Sequence, residues 1–382
     1  MIYITVKQPP IYHQMSLEEF LFQSETCPAV INENLTNTRT YEVASVSRRF
    51  IQRFGFSIER LIRLLEQFNE QTEGLRNRPR HDLYREFHIP KKSGGLRKID
   101  APNQELMDAL RRLKTIFEED FRVLYHTTAF AYVKKRSTLD AIKRHQANES
   151  KWFGKYDLSN FFGSTTLEYI VKMFSMIFPF SEVVKSERGL HALETALELA
   201  MLDGGLPQGT PISPLITNVM MIPVDYTLSN GFRNFNRQRF VYTRYADDFL
   251  ISSKYDFDFK AVEQYIVDTL ASFGAPFTIK SAKTRYGSSA GKNWNLGVML
   301  NKDNQITIGY KKKRQFQAML CSFVLDTKNG TNWPLEDIQQ LEGYRNYYHM
   351  VEGEVIDNLV YKLGEKFGVN IPKLIKEQLR AV

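Results

Sequence analysis

The sequence predicts an α+β fold, because hairpin-like and helical segments alternate along it and its tail is helical throughout. Short runs of β-branched and aromatic residues flank tight turns, most clearly on either side of Asp247 and Asp248, and such runs are typical of β-hairpins. Other segments repeat apolar residues at helical spacing and predict amphipathic helices. From Leu335 onward all of the apolar spacing is helical.

The composition favours a folded, basic protein. With 382 residues, of which 43% are hydrophobic, the chain is long enough for two or three packed subdomains, and we do not expect extensive disorder. Lysine and arginine number 51 against 43 acidic residues, and the formal charge of +8 suits a polyanionic partner such as nucleic acid. Basic composition also occurs in proteins that bind no nucleic acid, so the charge supports this interpretation without deciding it.

Two further features concern the cellular compartment. Cys27 and Cys321 lie far apart and form no Cys-x-x-Cys pair, so neither a disulfide framework nor a zinc site is indicated and a reducing compartment fits. The N-terminal residues lack the basic start and continuous apolar core of a signal peptide, and no later run approaches membrane-spanning length. We therefore expect a soluble cytoplasmic protein without a membrane partner.

The first 80 residues carry no chemistry that the sequence identifies. Ser16 and Glu19 are spaced as a capping box and predict a short helix through Phe22. A clearer helix is predicted from apolar residues on one face, and Gly74 and Pro79 end that segment. The apolar residues are Ile58, Leu61, Ile62, Leu65 and Phe68.

A basic hairpin is predicted between Phe87 and Pro102. Gly94 and Gly95 mark its turn, and its arms carry closely spaced cations. A mobile hairpin of this charge is suited to binding a triphosphate. A solvated charged turn is the alternative, and this segment alone leaves both interpretations open.

Two helices are predicted after the hairpin. The first carries apolar residues at helical spacing from Leu106 to Leu124. The second follows a basic and aromatic stretch, 129–137, and runs through Ala141 and His145. We interpret His145 as a packing or surface histidine rather than a catalyst.

Three aspartates form the candidate reaction centre. Asp157 ends an aromatic-rich strand that begins near Trp152, while Asp247 and Asp248 occupy the tip of a hairpin. Adjacent carboxylates repel each other unless a cation collects them, and oxygen ligands of this kind suit two Mg²⁺ ions in phosphoryl transfer. Taken alone, Asp247 and Asp248 also fit ordinary turn residues that face water.

A loop dense in glycine and proline spans 206–214. The apolar run that follows it, from Leu215 to Val224, predicts a buried helix with Pro214 in its first turn. Gln208 and Gly209 suit a place where backbone approaches a ligand closely and an amide contacts it. An ordinary rigid loop is the alternative.

Three motifs in this order resemble those of the reverse transcriptases, specifically the bacterial branch that contains group II intron, retron and phage-defence enzymes. The motifs are Asp157-Leu158-Ser159-Asn160-Phe161-Phe162, Leu206-Pro207-Gln208-Gly209 and Tyr245-Ala246-Asp247-Asp248. The resemblance extends from Phe87 to Tyr348 and implies a right-hand polymerase with fingers, a palm containing an antiparallel sheet, and a helical thumb. It places an N-terminal helical extension at 1–80, fingers at 81–150, palm with finger elements at 151–300, and the primer-grip end and thumb at 301–382.

The family pattern implies a two-metal centre. It assigns Asp157 and Asp247 as metal ligands, Asp248 as completing the acidic cluster, and the main-chain carbonyl of Leu158 as a further ligand. The implied cofactor is Mg²⁺, as two ions, for which Mn²⁺ substitutes. Lys283 matches the lysine that protonates the pyrophosphate leaving group, although the asparagine usual three residues earlier is Lys280 here.

The same resemblance implies a deoxynucleotide site. Lys91 and Arg97 match the finger residues that hold the incoming triphosphate. Phe162 matches the sugar gate, where an aromatic ring excludes a 2′-hydroxyl by steric conflict. Gln208 and Gly209 match residues that contact the incoming nucleotide and the nascent base pair.

The C-terminal part resembles the region that holds template and primer. Residues 295–298 resemble the primer-grip hairpin, and a run of four cations is predicted to contact the nucleic-acid backbone, with a solvated charge run as the alternative. Two apolar faces predict thumb helices that track an RNA–DNA hybrid. The cations are Lys311, Lys312, Lys313 and Arg314, and the faces are Ile338, Leu341, Tyr344 and Tyr348, then Val355, Leu359, Leu363 and Phe367.

Departures from the family patterns indicate a branch. Asp140 stands where retron enzymes usually begin an Asn-Ala-x-x-His motif, and residues 295–297 replace their Val-Thr-Gly, which weakens a retron assignment. Group II intron proteins generally continue well beyond the thumb, and diversity-generating retroelement enzymes carry a different loop at 206–209. Elimination leaves the stand-alone, defence-associated enzymes that work with a non-coding RNA encoded nearby.

We therefore expect an RNA-directed DNA polymerase that extends a primer 3′ end, or another hydroxyl, with dNTPs on a template RNA in anti-phage defence. Alternatives are a retron or group II intron-type reverse transcriptase, a template-independent DNA polymerase, a ribonucleotide polymerase, and a non-catalytic nucleic-acid-binding module. Three retained carboxylates argue against the module, since unused clustered charges would only destabilise the fold. Priming mode, partner proteins and self-association are left open by the sequence.

Overall fold

The computed structural model describes residues 57–90, 94–289, 294 and 297–381. Several predictions concern positions outside these ranges: Ser16, Glu19, Phe22, Cys27, Lys91, Asn295 and Leu296. Within the described ranges, no helix combines the length and apolar character needed to cross a membrane.

The chain divides into two compact units. The first unit comprises Met1–Arg136, Lys155–Phe249 and Asp258–Arg285, and the second comprises Ser137–Gly154, Leu250–Phe257 and Tyr286–Val382. The limits of fingers, palm and thumb stay predictions.

Helices account for most of the described chain. In chain order they are α1 (Ile58–Gln71), α2 (Glu73–Arg76), α3 (Gln104–Thr115), α4 (Thr138–Ala147), α5 (Leu167–Phe174), α6 (Phe180–Val183), α7 (Glu187–Glu198), α8 (Ser213–Met220), α9 (Ile222–Gly231), α10 (Phe259–Ser272), α11 (Tyr310–Lys328), α12 (Leu335–Phe367) and α13 (Ile371–Ala381).

The described strands form three sheets. The strands are β1 (Tyr84–Pro90), β2 (Leu96–Pro102), β3 (Trp152–Asp157), β4 (Phe240–Tyr245), β5 (Asp248–Ser253), β6 (Arg285–Ser288), β7 (Met299–Leu300) and β8 (Ile306–Thr307). The largest sheet has the order β4-β5-β3-β6, while β1 pairs with β2 and β7 pairs with β8. Because β3 lies beside β5, the end of β3 comes next to the turn between β4 and β5.

The predicted basic hairpin is confirmed. Strands β1 and β2 pair antiparallel from Tyr84 opposite Pro102 to Pro90 opposite Leu96. Most of their side chains are exposed, so the main-chain ladder rather than core packing holds the hairpin together.

Helices of the first unit follow the predicted apolar spacing. In α1 the residues Leu61, Ile62, Leu65 and Phe68 are buried, and the Ser57 side chain accepts a hydrogen bond from the Arg60 amide at the N-terminus. The helix predicted from Leu106 is α3, which continues as a π-helical turn to Asp120. An aromatic cluster packs at that end, with Phe117 and Phe121 each against Phe180 at centroid distances of 5.3 and 4.6 Å.

One predicted helix proves to be two. The run from Leu215 to Val224 is divided between α8 and α9, which meet at Met221. Pro223 explains the break, because proline has no amide hydrogen to continue the ladder and its ring clashes with the preceding turn. Pro214 lies in the first turn of α8, as predicted.

In the second unit, α4 begins with a reciprocal capping box between Ser137 and Asp140. His145 on this helix is fully buried, and its Nδ1 atom lies 2.5 Å from the Ser252 hydroxyl. Burial lowers the pKa of His145 to about 3, so the ring is neutral at physiological pH. The interpretation of His145 as a packing residue is confirmed.

The C-terminal segment is helical, as predicted, but its buried face differs beyond the middle of α12. Val355 is 48% exposed, whereas Ile356, Val360 and Leu363 are buried. The cause is a kink at Glu352, where φ and ψ of −140° and 56° interrupt the helix and shift the apolar stripe. The placement of Val355 on the packed face was therefore wrong. The placement of Tyr344 was wrong for a different reason: it precedes the kink but lies at the margin of the first face, where it is 39% exposed and stacks on Tyr348.

Candidate active site

The three predicted aspartates lie close together in the first unit, at the adjoining ends of strands β3, β4 and β5. Asp157 is the last residue of β3, Asp247 lies in the turn after β4, and Asp248 is the first residue of β5. The amide of Leu158 donates a hydrogen bond of 3.0 Å to the main-chain carbonyl of Asp247. This bond fixes the end of β3 directly beside the acidic turn.

A second chain segment flanks the end of β3 on its other side. Leu158 forms an antiparallel bridge with Ile279, and the Lys280 amide donates to the carbonyl of Asp157 over 2.7 Å. The amide of Lys283 then donates to the Lys280 carbonyl at 2.8 Å. These contacts use main-chain atoms of Lys280, so lysine in place of the family's asparagine leaves them intact.

This arrangement places the Lys283 ammonium on a candidate metal ligand. Its Nζ atom lies 3.0 and 2.9 Å from Oδ1 and Oδ2 of Asp157. The carboxylate is almost entirely buried while the lysine is half exposed. Hydrogen bonding to Asp157 raises the pKa of Lys283, with the charges of Asp247 and Asp248 adding to the effect, so the lysine is protonated at physiological pH.

A further lysine in this cluster was not predicted from the sequence. Lys155 Nζ lies 2.6 Å from Oδ2 of Asp248, and both side chains are largely buried. The signal was available, since Lys155 precedes Asp157 by two residues and strand side chains two apart share a face. A lysine beside aromatic residues in a strand matches no motif of its own, so the pattern alone does not single out Lys155.

Asp247 is the carboxylate whose charge is least compensated. Burial raises its pKa, and the neighbouring charges of Asp248 and Asp157 raise it further, against the smaller opposing effects of a backbone hydrogen bond and of Lys283. Asp157 and Asp248 each pair with a lysine, whereas Asp247 has no lysine partner of its own among these contacts. The uncompensated negative charge of the cluster therefore lies at Asp247. An additional cation would relieve this repulsion.

The donor set fits a divalent metal ion of the hard, oxygen-binding class. Asp157, Asp247 and Asp248 supply carboxylate oxygens, and the Leu158 carbonyl is a further candidate. Over the residues that the structure describes, no group of three or more His, Cys, Asp and Glu side chains is assembled as a ready metal site. Two of the three carboxylates are instead paired with lysines, and those pairs must open or shift for a metal to share the oxygens.

The residues predicted to bind the nucleotide are linked by main-chain hydrogen bonds. The Leu206 amide donates to the Phe162 carbonyl at 2.9 Å, and the Asp100 amide donates to the Gln208 carbonyl at 2.8 Å. The loop at 206–209 therefore joins the turn after β3 to strand β2, three residues beyond Arg97. Phe162 and Gln208 are partly exposed and Arg97 is exposed, so these side chains are accessible to a ligand.

Gly209 has a structural reason to be glycine. Its φ of +121° belongs to a region that L-residues rarely adopt, and a Cβ there would lie 2.9 Å from the Asp100 carbonyl oxygen and from Ile99 Cγ2. The loop therefore packs its backbone directly onto β2. The close approach seen at Gly209 is to the protein's own strand, so its predicted contact with a ligand stays a prediction.

The four predicted nucleic-acid cations lie in the first turns of α11, in the second unit, and have two kinds of surroundings. Lys311 and Arg314 are exposed, with the Arg314 guanidinium 5.6 Å from the Tyr310 ring centroid. Lys312 and Lys313 are partly buried: Lys312 donates to the Gly297 carbonyl at 2.9 Å, and Lys313 donates to Glu352 at 2.6 Å. The structure thus divides the run into two outward-facing cations and two that hold the unit together.

Comparison with known proteins identifies a family for this chain. A family model described as reverse transcriptase (RNA-dependent DNA polymerase) matches residues 89–316. The Retron Ec83 reverse transcriptase of Escherichia coli is 28% identical over 296 residues, covering 76% of this chain and 90% of that protein. The Retron Ec73 reverse transcriptase of the same organism is 27% identical over 275 residues, covering 69% of this chain and 81% of that protein.

Among solved structures, the apo telomerase of Candida tropicalis is similar with a TM-score of 0.42 and 14% sequence identity. The similarity covers 78% of this chain and 61% of that chain.

Proposed function

The chain belongs to the reverse transcriptase family, whose model spans well over half of it, and on that premise we propose that Asp157, Asp247 and Asp248 are its catalytic centre. Membership makes the chain an RNA-directed DNA polymerase with the right-hand fold, whose partners are a template RNA and a DNA product. The observation that supports this centre most directly is the hydrogen bond from the Leu158 amide to the Asp247 carbonyl, which holds the end of β3, with Asp157, beside the turn that carries Asp247 and Asp248.

The proposed reaction is nucleotidyl transfer from a dNTP to a primer 3′-hydroxyl or to another hydroxyl. Reverse transcriptases generally use divalent metal ions; we propose two Mg²⁺ ions, replaceable by Mn²⁺, which when bound supply activation of the attacking hydroxyl and stabilisation of the leaving pyrophosphate. Asp157 and Asp247, with Asp248 and the Leu158 carbonyl, would hold the ions through oxygen ligands. Lys283 would donate a proton to the pyrophosphate once its contact with Asp157 opens.

The nucleotide would be held by the loop network beside this centre. Arg97, with Lys91, is proposed to bind the triphosphate from the basic hairpin. Phe162 is proposed to lie beneath the sugar and to exclude ribonucleotides by contact with a 2′-hydroxyl. The bond from Asp100 to Gln208 supports this arrangement, because it couples the hairpin to the loop that carries Gln208 and Gly209.

The template is proposed to be a non-coding RNA encoded near the gene. The two Escherichia coli relatives are retron enzymes, and this similarity favours the retron branch, which the sequence patterns had placed second. Because the retron branch is favoured again, the elimination no longer supports a role in anti-phage defence, and we propose that role only on the resemblance of the three motifs to a branch that contains phage-defence enzymes. Its test is phage challenge of cells carrying the native locus or a copy with Asp247→Ala, and equal plating on both would remove the defence role.

The enzymatic proposal is tested by sequencing the nucleic acid that copurifies with the protein, after separate RNase and DNase treatment. Wild type is compared with Asp247→Asn and with Asp268→Asn, which makes the same change at an exposed position on α10. We expect one defined RNA in all three samples, with DNA complementary to it in wild type and Asp268→Asn only. DNA without a complementary RNA would indicate template-independent synthesis, and DNA at wild-type levels from Asp247→Asn would refute the assigned centre.

A further inference from the structure

Arg244, the residue two positions before the turn residue Ala246, has a side chain that is entirely buried. Its Nε and Nη2 atoms donate to Oδ1 and Oδ2 of Asp225 at 2.9 and 2.7 Å, so the two side chains form a bidentate ion pair. Neither side chain of this pair has any solvent exposure. Burying such an ion pair carries a large desolvation penalty, so general packing alone does not explain why it is there.

The side-chain partners of Arg244 come from two consecutive helices, α8 and α9. Asp225 is on α9, where the Tyr242 hydroxyl also donates to it at 2.7 Å. Asn218, on α8, accepts a hydrogen bond of 3.1 Å from Nη1 of Arg244. Side chains on the two helices α8 and α9 thereby fix both the position of the Arg244 guanidinium and the orientation of its plane.

The remaining contact of the guanidinium reaches the acidic turn. Nη1 of Arg244 donates to the main-chain carbonyl of Ala246 at 3.2 Å. Ala246 has a φ of 56°, the left-handed conformation that residues with a Cβ adopt only when surrounding contacts hold them there. The peptide plane whose carbonyl Arg244 holds is the one that leads into Asp247, so its orientation sets the direction of the Asp247 side chain.

The same residues also hold a neighbouring chain segment beside the turn. The Arg244 amide donates to Thr128 at 2.7 Å, and the Phe130 amide donates back to the Arg244 carbonyl at 2.9 Å. The side-chain amide of Asn218 donates to the Ala131 carbonyl at 2.8 Å. Because the turn is enclosed on this side, Arg244 has little freedom to move without moving Asp247.

We propose that Arg244 is a positioning residue for catalysis, which holds the Ala246 carbonyl from a buried anchor on Asp225 and so keeps Asp247 in its reactive orientation. This inference rests on the proposed function, since it gives Arg244 a role at the same centre. The alternative is a core ion pair that stabilises the fold and leaves the rate of catalysis unaffected.

Three variants separate these roles. Arg244→Lys keeps the charge next to Asp225 but loses the planar fork that reaches Asp225, Asn218 and Ala246 together. Asp225→Asn combined with Arg244→Gln removes both charges at once, which avoids a buried unpaired charge if the single variant folds poorly. Tyr242→Phe is the matched control, because it removes a hydrogen bond to Asp225 and leaves the contact between Arg244 and Ala246 in place.

The measurement is the pre-steady-state burst of dNTP addition with primer–template in excess over enzyme. The burst rate gives the rate per active site, and the burst amplitude counts the folded active sites. We expect both Arg244 variants to lose about 100-fold in rate per active site, the effect of a displacement of about 1 Å at a reacting centre, with dNTP affinity changed much less. Both should also require more Mg²⁺ for half-maximal rate, whereas Tyr242→Phe should keep wild-type values for both quantities.

Two results would overturn the inference. One is wild-type rate and Mg²⁺ dependence in either folded Arg244 variant, which would leave the ion pair as a stabilising element. The other is a loss of rate in Tyr242→Phe as large as that in the Arg244 variants. It would show that any change to the hydrogen bonds of Asp225 lowers the rate, whether or not the contact between Arg244 and Ala246 is kept. Failure of the proposed function is distinguishable from both, because the wild-type protein would then add no nucleotide.

Discussion

The ammonium group of Lys283 contacts both carboxylate oxygens of Asp157, at 3.0 and 2.9 Å. The same carboxylate is the proposed ligand of a metal ion, and its two oxygens cannot serve the lysine fully and a metal fully at the same time. We therefore propose that Lys283 neutralises Asp157 until a metal ion takes its place. Its release would leave a protonated lysine beside the triphosphate, where a proton donor is needed.

Replacing Lys283 by methionine should change metal dependence and rate in opposite directions. Removal of a competing positive charge lowers the Mg²⁺ concentration for half-maximal rate. Loss of the proton donor lowers the maximal rate, by about 100-fold if Lys283 is a general acid. Both quantities come from single-turnover rates measured over a range of Mg²⁺ concentrations.

The control for this substitution is Lys280→Met, which removes a neighbouring exposed ammonium while its main-chain bonds to Asp157 and Lys283 persist. It should leave the maximal rate near wild type. If Lys283→Met raised the Mg²⁺ requirement instead, the lysine would be supporting the metal site and the competition described above would be wrong.

Asp247→Asn should stabilise the protein in the absence of metal. The folded state holds the pKa of Asp247 above its usual value of 3.8, so folding disfavours the ionised carboxylate. The free energy of unfolding that Asp247 contributes is therefore greatest below pH 3.8 and falls as pH rises through its folded pKa. At neutral pH, chemical denaturation should show a gain of about 1 kcal/mol for Asp247→Asn.

This gain should disappear in acid, where wild-type Asp247 is itself neutral, and should shrink or reverse when Mg²⁺ is added, because the metal stabilises the form that binds it. A matched comparison is Asp268→Asn, at an exposed site, which should show none of these differences. Destabilisation by Asp247→Asn at neutral pH without metal would contradict the raised pKa.

The sequence predicted the parts of this site that local chemistry determines. Flanking β-branched runs identified the hairpin that carries Asp247 and Asp248, and Asp157 could be placed at a strand end. Arg244 and Asp225 were not identified, because 19 positions separate them and an arginine within an apolar strand gives no indication of its buried partner. Lys283 and Asp157 are 126 positions apart, and their pairing depends on the main-chain bridge between Leu158 and Ile279, which local spacing does not report.

The kink in α12 shows the same limit within a single helix. Apolar spacing predicted the helix and three of the four residues of its first face, but the second face was displaced because Glu352 leaves the helical conformation. Its carboxylate accepts hydrogen bonds from the Ile308 amide, the Thr307 hydroxyl and Lys313. The kink is thus set by tertiary partners, which helical periodicity cannot encode.

Phe162→Ala should admit ribonucleotides. The Leu206 amide fixes the main chain at Phe162, and the partly exposed ring packs edge-on against Phe161 at a centroid distance of 5.5 Å. Removal of the ring leaves space for a 2′-hydroxyl. Discrimination between dTTP and UTP, measured as the ratio of kcat/KM values, should fall by about 100-fold. The rate with dTTP serves as the internal control, and unchanged discrimination would remove the sugar-gate role.

The cations at the start of α11 should separate into two functional pairs. Lys311 and Arg314 are exposed, so replacing either by glutamine should weaken binding of an RNA–DNA hybrid and reduce the slope of log affinity against log salt by about 1. Unfolding stability should hardly change, since neither side chain is buried. Fluorescence anisotropy at several salt concentrations measures the slope.

Lys313→Gln should give the opposite pattern. Lys313 pairs with Glu352, which is 8% exposed and also receives bonds from Thr307 and Ile308, so loss of the lysine leaves a buried carboxylate partly uncompensated. Because Lys313 itself is 25% exposed, solvent screens part of the effect, and we expect a loss of about 1–2 kcal/mol in unfolding stability. The salt slope of the folded variant should match wild type. Equal reductions in slope from Lys311, Lys313 and Arg314 variants would instead mean that all three contact phosphates and that the pair with Glu352 opens when nucleic acid binds.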